Sequence, residues 1–201
     1  IFNDIRQKQR AGLLSSVFLL SVFLTANGVS SIFSSFEGSY HVELSRSFIR
    51  QYLYSMMVGI LLALLLLVGV MAFVFFEIFI LSNLDELIPS EINWIRIGQL
   101  FFYTILIYIT VAILYYFGTI EGKKTHFFSP GALMSCLLIL LTTYLFGIYI
   151  ENFSRYNQLY GSIGALLIFL FYIWLNSSLL LLGFELNATL NRLKNSEKDS
   201  S

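Results

Sequence analysis

The chain of 201 residues is strongly apolar, since 57% of its residues are hydrophobic, only 12% are charged, and the formal net charge is zero. A soluble domain carries about 25% charged residues, so this composition excludes an ordinary water-soluble domain. Without net positive charge there is no basic field to gather nucleic acid. The single cysteine, Cys136, excludes a disulfide framework.

Five long runs contain no charged residue: 11–36, 51–76, 97–120, 125–150 and 156–184. About 20 apolar residues are enough to cross the hydrocarbon core of a bilayer. A segment in lipid must satisfy its own backbone hydrogen bonds, and these runs lack the alternating polarity of barrel strands. The sequence therefore predicts an all-α membrane protein, a polytopic helical bundle with five spans in a single membrane domain over 1–201.

The predicted elements follow in chain order. They are a span over about 11–33, an amphipathic interfacial helix over about 34–52, spans over about 53–81, 95–117, 130–150 and 161–186, and a polar tail over 188–201. In the interfacial helix, aromatic and apolar residues recur every four positions from Phe36 to Tyr52, with charged residues between them. Arg46 and Arg50 are predicted to contact anionic lipid headgroups. The alternative is a helical linker packed on its own bundle.

The last two spans are predicted to form a hairpin joined by the polar link 151–157. Ser129 followed by Pro130 is typical of a helix N-cap with proline at the first helical position. Small and turn-forming residues at both ends of the hairpin predict close packing or turns. They are Pro130, Gly131, Gly147, Tyr160, Gly161, Gly164 and Gly183.

Polar side chains within or at the ends of the spans are candidates for a polar groove, because such groups in a membrane either line a pathway or join helices. They are Asn27, Thr142, Thr143, Asn176, Ser177, Ser178 and Glu185. Asn176 falls near the middle of its span and needs a partner. Glu185 is the first candidate for a functional carboxylate, with pairing to a loop base or capping of a helix as the alternative.

Patterns typical of catalytic sites are missing from the sequence. His41 and His126 lie in separate segments between the spans, and no zinc motif, phosphate-binding glycine loop or nucleophile elbow occurs. We therefore expect no catalytic residue, no metal, no cofactor and no nucleic-acid partner, and ribonuclease activity is not expected. Seven of the twelve Lys and Arg residues fall on the side of the C-terminus, which predicts a cytoplasmic C-terminus.

Three segments together resemble the BrkB/YihY family of bacterial inner-membrane proteins, once labelled ribonuclease BN-like. The matching residues are Ser35 to Tyr40, Leu114-Tyr115-Tyr116, Pro130-Gly131-Ala132, Tyr156, Tyr160-Gly161-Ser162, Gly164-Ala165, Trp174, Leu182-Gly183 and Glu185-Leu186. Glu37 stands where the family often has asparagine, and Gly118-Thr119 where it often has proline. The resemblance implies an inner-membrane location and six spans with both ends cytoplasmic, so this chain would lack the first span.

The resemblance also implies a role in the cell envelope, with lipid export in one branch. The first hypothesis is therefore transport or export of a lipid or other amphiphile. The alternative is a non-catalytic membrane scaffold or partner-binding protein. The expected partners are membrane lipids and further copies of the chain. A continuous polar cavity reaching Asn176 and Glu185 favours transport, whereas a dry bundle with these groups bonded to each other favours the scaffold.

Overall fold

A computed structural model describes residues 2–39, 47–76, 78, 94–118 and 127–199. Side chains are described except in a few stretches, chiefly 2–11, 94–96 and 152–163. These ranges form the helices α1 (Phe2–Ser39), α2 (Phe48–Phe75), α3 (Trp94–Gly118) and α4 (Pro130–Asp199), and none of their residues lies in a strand. The all-α architecture expected from the sequence is confirmed.

Five segments within the described helices are long and apolar enough to cross a membrane. They are Leu14–Gly38, Ile49–Phe75, Ile97–Gly118, Pro130–Glu151 and Gly164–Lys194. Most of their large apolar side chains are exposed, as expected where lipid rather than water is the solvent. The number of spans agrees with the five charge-free runs in the sequence.

Helix α4 folds back on itself and contributes two of these spans. We call 130–151 its first arm and 164–199 its second arm. The backbone N–H of Gly131, at the start of the first arm, donates to Oδ1 of Asn187 at 2.7 Å. Nearer the reversal, the hydroxyl oxygens of Thr143 and Tyr172 lie 2.8 Å apart. The arms are therefore antiparallel, and the second arm stays helical through most of the predicted polar tail.

The structure differs from the predicted interfacial helix over 34–52. Residues 34–39 continue α1 and residues 48–52 begin α2, while 40–46 lie outside the described residues. The reason is burial: the side chain of Phe36 is 1% exposed and that of Glu37 is 8% exposed. At least part of the four-residue pattern, at Phe36, thus reflects packing within the bundle and not only contact with lipid.

The buried core lies toward one end of the bundle, which we call the closed end. At this end α1 and α3 terminate, and α2 and the first arm begin. The part of the second arm around Asn187 also lies here. The core residues include Phe33, Phe36, Ala112, Tyr115 and Phe184. At the opposite, open end the described side chains of 14–21 and 169–171 are exposed. The bundle is thus packed at one end and exposes apolar helix faces at the other.

Hydroxyl side chains along the spans mostly bond to their own helices. Ser21, Thr25, Ser31 and Thr104 each donate to the carbonyl four residues earlier, at 2.7–2.9 Å. This bond satisfies the hydroxyl hydrogen without a partner helix. Such residues can therefore face lipid at low cost, and their presence alone does not indicate a site.

Candidate functional site

The two arms of α4 meet closest at Gly131 and Gly183. A side-chain carbon built on Gly183 would lie 2.6 Å from the carbonyl oxygen of Gly131 and from the Tyr115 hydroxyl, and would overlap Ser135 Oγ. A carbon built on Gly131 would overlap the carbonyl oxygen of Gly183. Only glycine at both positions allows this approach, and it brings polar groups of three segments together at the closed end.

Asn187 on the second arm completes the N-terminus of the first arm. Its Oδ1 accepts the N–H of Gly131 at 2.7 Å, and its Nδ2 donates to Ser129 Oγ at 2.8 Å. Ser129 Oγ also accepts the N–H of Ala132 at 3.3 Å, which is the N-cap predicted from Ser129-Pro130. The first turn of a helix leaves backbone N–H groups without intrahelical acceptors. Two of these groups are satisfied here within the buried junction.

Tyr115 and Ser135 form the second half of this junction. The Tyr115 hydroxyl lies 2.6 Å from both Ser135 Oγ and the carbonyl oxygen of Leu180. Ser135 Oγ in turn lies 3.0 Å from the carbonyl oxygen of Leu179. Each hydroxyl has one hydrogen to donate, so two of these three close oxygen pairs can be hydrogen-bonded at the same time. The junction ties α3 to both arms of α4 through buried groups.

Phe36 connects α1 to this junction. Its ring stacks on Phe184 at 4.5 Å between centroids and meets Tyr115 edge to face at 5.6 Å. The next residue, Glu37, accepts a hydrogen bond from Nε2 of Gln51 at 3.3 Å, and both side chains are buried. The end of α1 is therefore held by aromatic contacts with α3 and α4 and by a polar contact with α2.

A half-open groove of about 240 Å³ lies between α1 and the second arm of α4. Its hydroxyl-bearing lining residues are Ser35 on α1 and Ser177 and Ser178 on α4. Phe36 and the indole of Trp174 also line it, together with aliphatic side chains. Because Phe36 also packs against Phe184 and Tyr115, the groove adjoins the closed-end junction.

The predicted polar-groove residues fall in several environments. Ser177 and Ser178 line the groove, whereas Thr142, Thr143 and Asn176 are not among its lining residues. Asn176 donates to the carbonyl oxygen of Tyr172 on its own helix at 2.8 Å, and its Oδ1 is buried without a hydrogen-bond partner. Neither Asn176 nor Glu185 lines this groove, so a continuous polar cavity that reaches both stays a prediction.

Other predicted site residues are spread over the bundle. Asn27 is exposed midway along the first span, Glu185 is half-buried near the closed end, and Arg50 is exposed at the start of α2. A side-chain carbon on Gly147 would meet nothing within 4 Å. Pro130 is exposed and Gly164 is partly buried. Arg46, the side chain of Tyr160 and the burial of Gly161 are not described.

Sequence reasoning selected Gly131 and Gly183 as close-packing residues, but not the polar side chains that meet around them. Tyr115, Ser129, Ser135 and Asn187 are absent from the predicted site, although all four are buried. One signal was available, because Asn187 shares a helical face with Gly183 and Asn176. The partners of Asn187, however, lie 56 and 58 residues earlier in the chain, and local spacing does not reveal such pairs.

Among the described residues, no group of three or more His, Cys, Asp or Glu side chains is close enough to hold a metal ion. His41, His126 and the acidic segment with Asp85, Glu86 and Glu91 lie outside the described residues.

The helical architecture and the five candidate spans define a multi-pass membrane protein. The chain matches the family described as virulence factor BrkB over residues 1–201 and therefore belongs to the BrkB family. No solved structure matches the chain.

Three relatives of the chain come from bacteria. The protein named ribonuclease-like YfkH of Bacillus subtilis (strain 168) is 29% identical over 199 residues, which cover 96% of this chain and 71% of the relative. A UPF0761 membrane protein of Xanthomonas oryzae pv. oryzae (strain PXO99A) is 38% identical over 30% of this chain and 14% of its own length. One from Psychrobacter sp. (strain PRwf-1) is 46% identical over 28% of this chain and 11% of its own length.

Proposed function

We propose that this BrkB-family membrane protein handles a lipid or similar amphiphile, with the groove between α1 and the second arm as the binding site. The observation that supports the proposal is the composition of the groove. Serine hydroxyls from two helices lie beside Phe36, Trp174 and aliphatic side chains in one half-open space. A polar headgroup joined to an apolar chain is the kind of molecule that satisfies both linings.

Exposed apolar side chains on the same two helices support the same proposal. Phe171 and Trp174 on the second arm are more than half exposed, and so are Leu20 and Leu24 on α1. In a bilayer these side chains offer apolar surface to an acyl chain whose headgroup enters the groove. The protein is then proposed to act without catalysis, in the bacterial cytoplasmic membrane, as an exporter or carrier that contributes to envelope maintenance.

Lipid movement in reconstituted vesicles tests this function. Purified protein in vesicles is expected to speed transfer of a fluorescent lipid between leaflets, measured by chemical reduction of the outer-leaflet label. Ser178→Phe should slow transfer because it fills the groove. Ser21→Phe is the matched control, since Ser21 is also an exposed serine bonded to its own helix but does not line the groove. Transfer no faster than in protein-free vesicles, or equal effects of the two substitutions, would refute the proposal.

A second candidate function is a scaffold that associates through α1, and Asn27 favours it. This amide is exposed near the middle of a span, and its side chain forms no hydrogen bond with the described residues. Amide side chains in a membrane tend to hydrogen-bond across helices. Under this proposal Asn27→Leu lowers energy transfer between donor- and acceptor-labelled copies in bilayers, whereas Ser21→Ala does not. Equal energy transfer in the unsubstituted protein and in both variants would refute the scaffold role of Asn27.

A further inference from the structure

The polar part of the groove is neutral. Its described lining holds three serine hydroxyls and one indole, and none of the described lining residues is charged. A phosphate or an ammonium group entering the groove would lose hydration without gaining an opposite charge, which is strongly unfavourable in a largely apolar site. The chemistry of the lining therefore selects against charged headgroups.

The three hydroxyls act as hydrogen-bond acceptors. Ser35 donates its hydrogen to the carbonyl oxygen of Ser31 at 2.9 Å, Ser177 to that of Ile173 at 2.9 Å, and Ser178 to that of Trp174 at 3.0 Å. With each hydrogen engaged by its own helix, the Oγ lone pairs remain for a ligand. A ligand that fits this lining must therefore bring hydrogen-bond donors, and a hydroxyl group is the simplest neutral donor of a lipid headgroup.

The size of the groove limits what enters it. The groove offers about 240 Å³, which is far less than the volume of a whole lipid, and it is half open. This space holds a small headgroup and its nearest methylene groups rather than a whole lipid. The remaining chains would lie along the exposed apolar faces at Leu24 and Phe171, where the solvent is already hydrocarbon.

From these three properties we infer that the groove binds the hydroxyl-bearing headgroup of an uncharged lipid, of which diacylglycerol is the simplest, in preference to a charged phospholipid. The inference rests on the proposed lipid-handling function and narrows its substrate class. Diacylglycerol has one hydroxyl hydrogen to donate. Ser177 or Ser178 accepts it, while Ser35 lies on the α1 side of the groove and Phe36 forms the apolar side of the headgroup site.

Quenching of Trp174 by brominated lipids tests the inference. Trp174 lines the groove, and the chain has only two tryptophans, so Trp94→Phe leaves Trp174 as the single reporter. The protein is placed in phosphatidylcholine vesicles that contain equal fractions of brominated diacylglycerol, brominated phosphatidylcholine or brominated phosphatidic acid. We expect diacylglycerol to quench most strongly. The one neutral hydrogen bond that it donates should raise its local enrichment roughly 2- to 10-fold.

Two controls test whether the excess quenching by diacylglycerol depends on the hydroxyl groups of the protein and of the ligand. Ser177→Ala together with Ser178→Ala should reduce the excess quenching by diacylglycerol without changing that by phosphatidylcholine, whereas Ser21→Ala should leave both unchanged. A diacylglycerol whose hydroxyl is methylated should lose the excess. Native mass spectrometry of the unsubstituted protein with added diacylglycerol gives a second measurement that does not depend on Trp94→Phe.

The outcomes separate this inference from the proposed function. Equal quenching by the three lipids, or strongest quenching by phosphatidic acid, would overturn the preference for an uncharged hydroxyl-bearing lipid and leave the groove as a lipid site. No quenching by any of them would overturn both, because Trp174 would then not meet lipid at all. Enrichment that survives the double serine substitution would overturn the assignment of the acceptors.

Discussion

Replacing Gly183 by alanine tests whether the closed end depends on close approach of the two arms of α4. The added methyl carbon would lie 2.6 Å from the carbonyl oxygen of Gly131 and from the Tyr115 hydroxyl, and would overlap Ser135 Oγ. Ordinary contact begins at about 3.4 Å, so the arms or the Tyr115 side chain must move apart. The hydrogen bonds of Ser135 and Tyr115 to the second arm would then lengthen from 3.0 and 2.6 Å.

The expected loss of stability can be worked out from three contributions. Overpacking costs about 1–3 kcal/mol. Two weakened hydrogen bonds within a membrane protein cost about 0.6 kcal/mol each. Alanine restores about 1 kcal/mol because it favours a helix more than glycine does. We therefore expect Gly183→Ala to lower the free energy of unfolding by about 1–3 kcal/mol.

Gly147→Ala is the matched control, because Gly147 also lies in α4 but has nothing within 4 Å of an added methyl carbon. Only the helix preference then acts, so this substitution should leave stability unchanged or raise it by up to about 1 kcal/mol. Unfolding in mixed micelles with increasing dodecyl sulfate, followed by helical circular dichroism, measures the difference. If Gly183→Ala proves as stable as Gly147→Ala, the arms do not depend on glycine contact at this crossing.

Three further predictions concern other parts of the bundle. Asn187→Leu should lower the free energy of unfolding by about 1–3 kcal/mol, because it leaves the buried N–H of Gly131 unpaired. Asn176→Leu should be neutral or stabilising, because it removes a buried oxygen that has no hydrogen-bond partner. Equal effects of the two substitutions in the same unfolding titration would contradict this prediction. Glu185→Gln should keep normal expression but slow lipid transfer between leaflets, and loss of folded protein instead would assign Glu185 a structural role. The predicted cytoplasmic C-terminus can be tested with single cysteines in a Cys136→Ser background. An impermeant maleimide should label Tyr149→Cys in intact spheroplasts, but Lys194→Cys only after lysis. The reverse labelling pattern would show the opposite topology.

The spans could be predicted from the sequence because they depend on a local property. A charge-free run longer than the hydrocarbon thickness has few alternatives to a membrane helix. The N-cap at Ser129 is likewise local, since serine is a preferred N-cap residue and proline is favoured at the first helical position. Both kinds of pattern are contained within a few turns of chain.

The polar junction could not be predicted in the same way. Tyr115 is one of twelve tyrosines in the chain, and Ser135 lies in an apolar run like several other serines. Their roles arise only when α3 crosses both arms of α4 and the hydroxyls meet backbone carbonyls. Asn176 shows the converse: its position suggested a partner on a neighbouring helix, yet its amide donates to its own helix.

The bond between Gly131 and Asn187 has a consequence for how the protein is made. The two residues are 56 positions apart, and Ser129 and Asn187 are 58 apart. During translation the start of the first arm therefore emerges from the ribosome long before its capping partner. Until the last span has been inserted, that helix start must rely on water or lipid headgroups for its N–H groups. Nascent chains that stop before Asn187 would retain an uncapped helix start, a feature that membrane quality-control proteases could recognise.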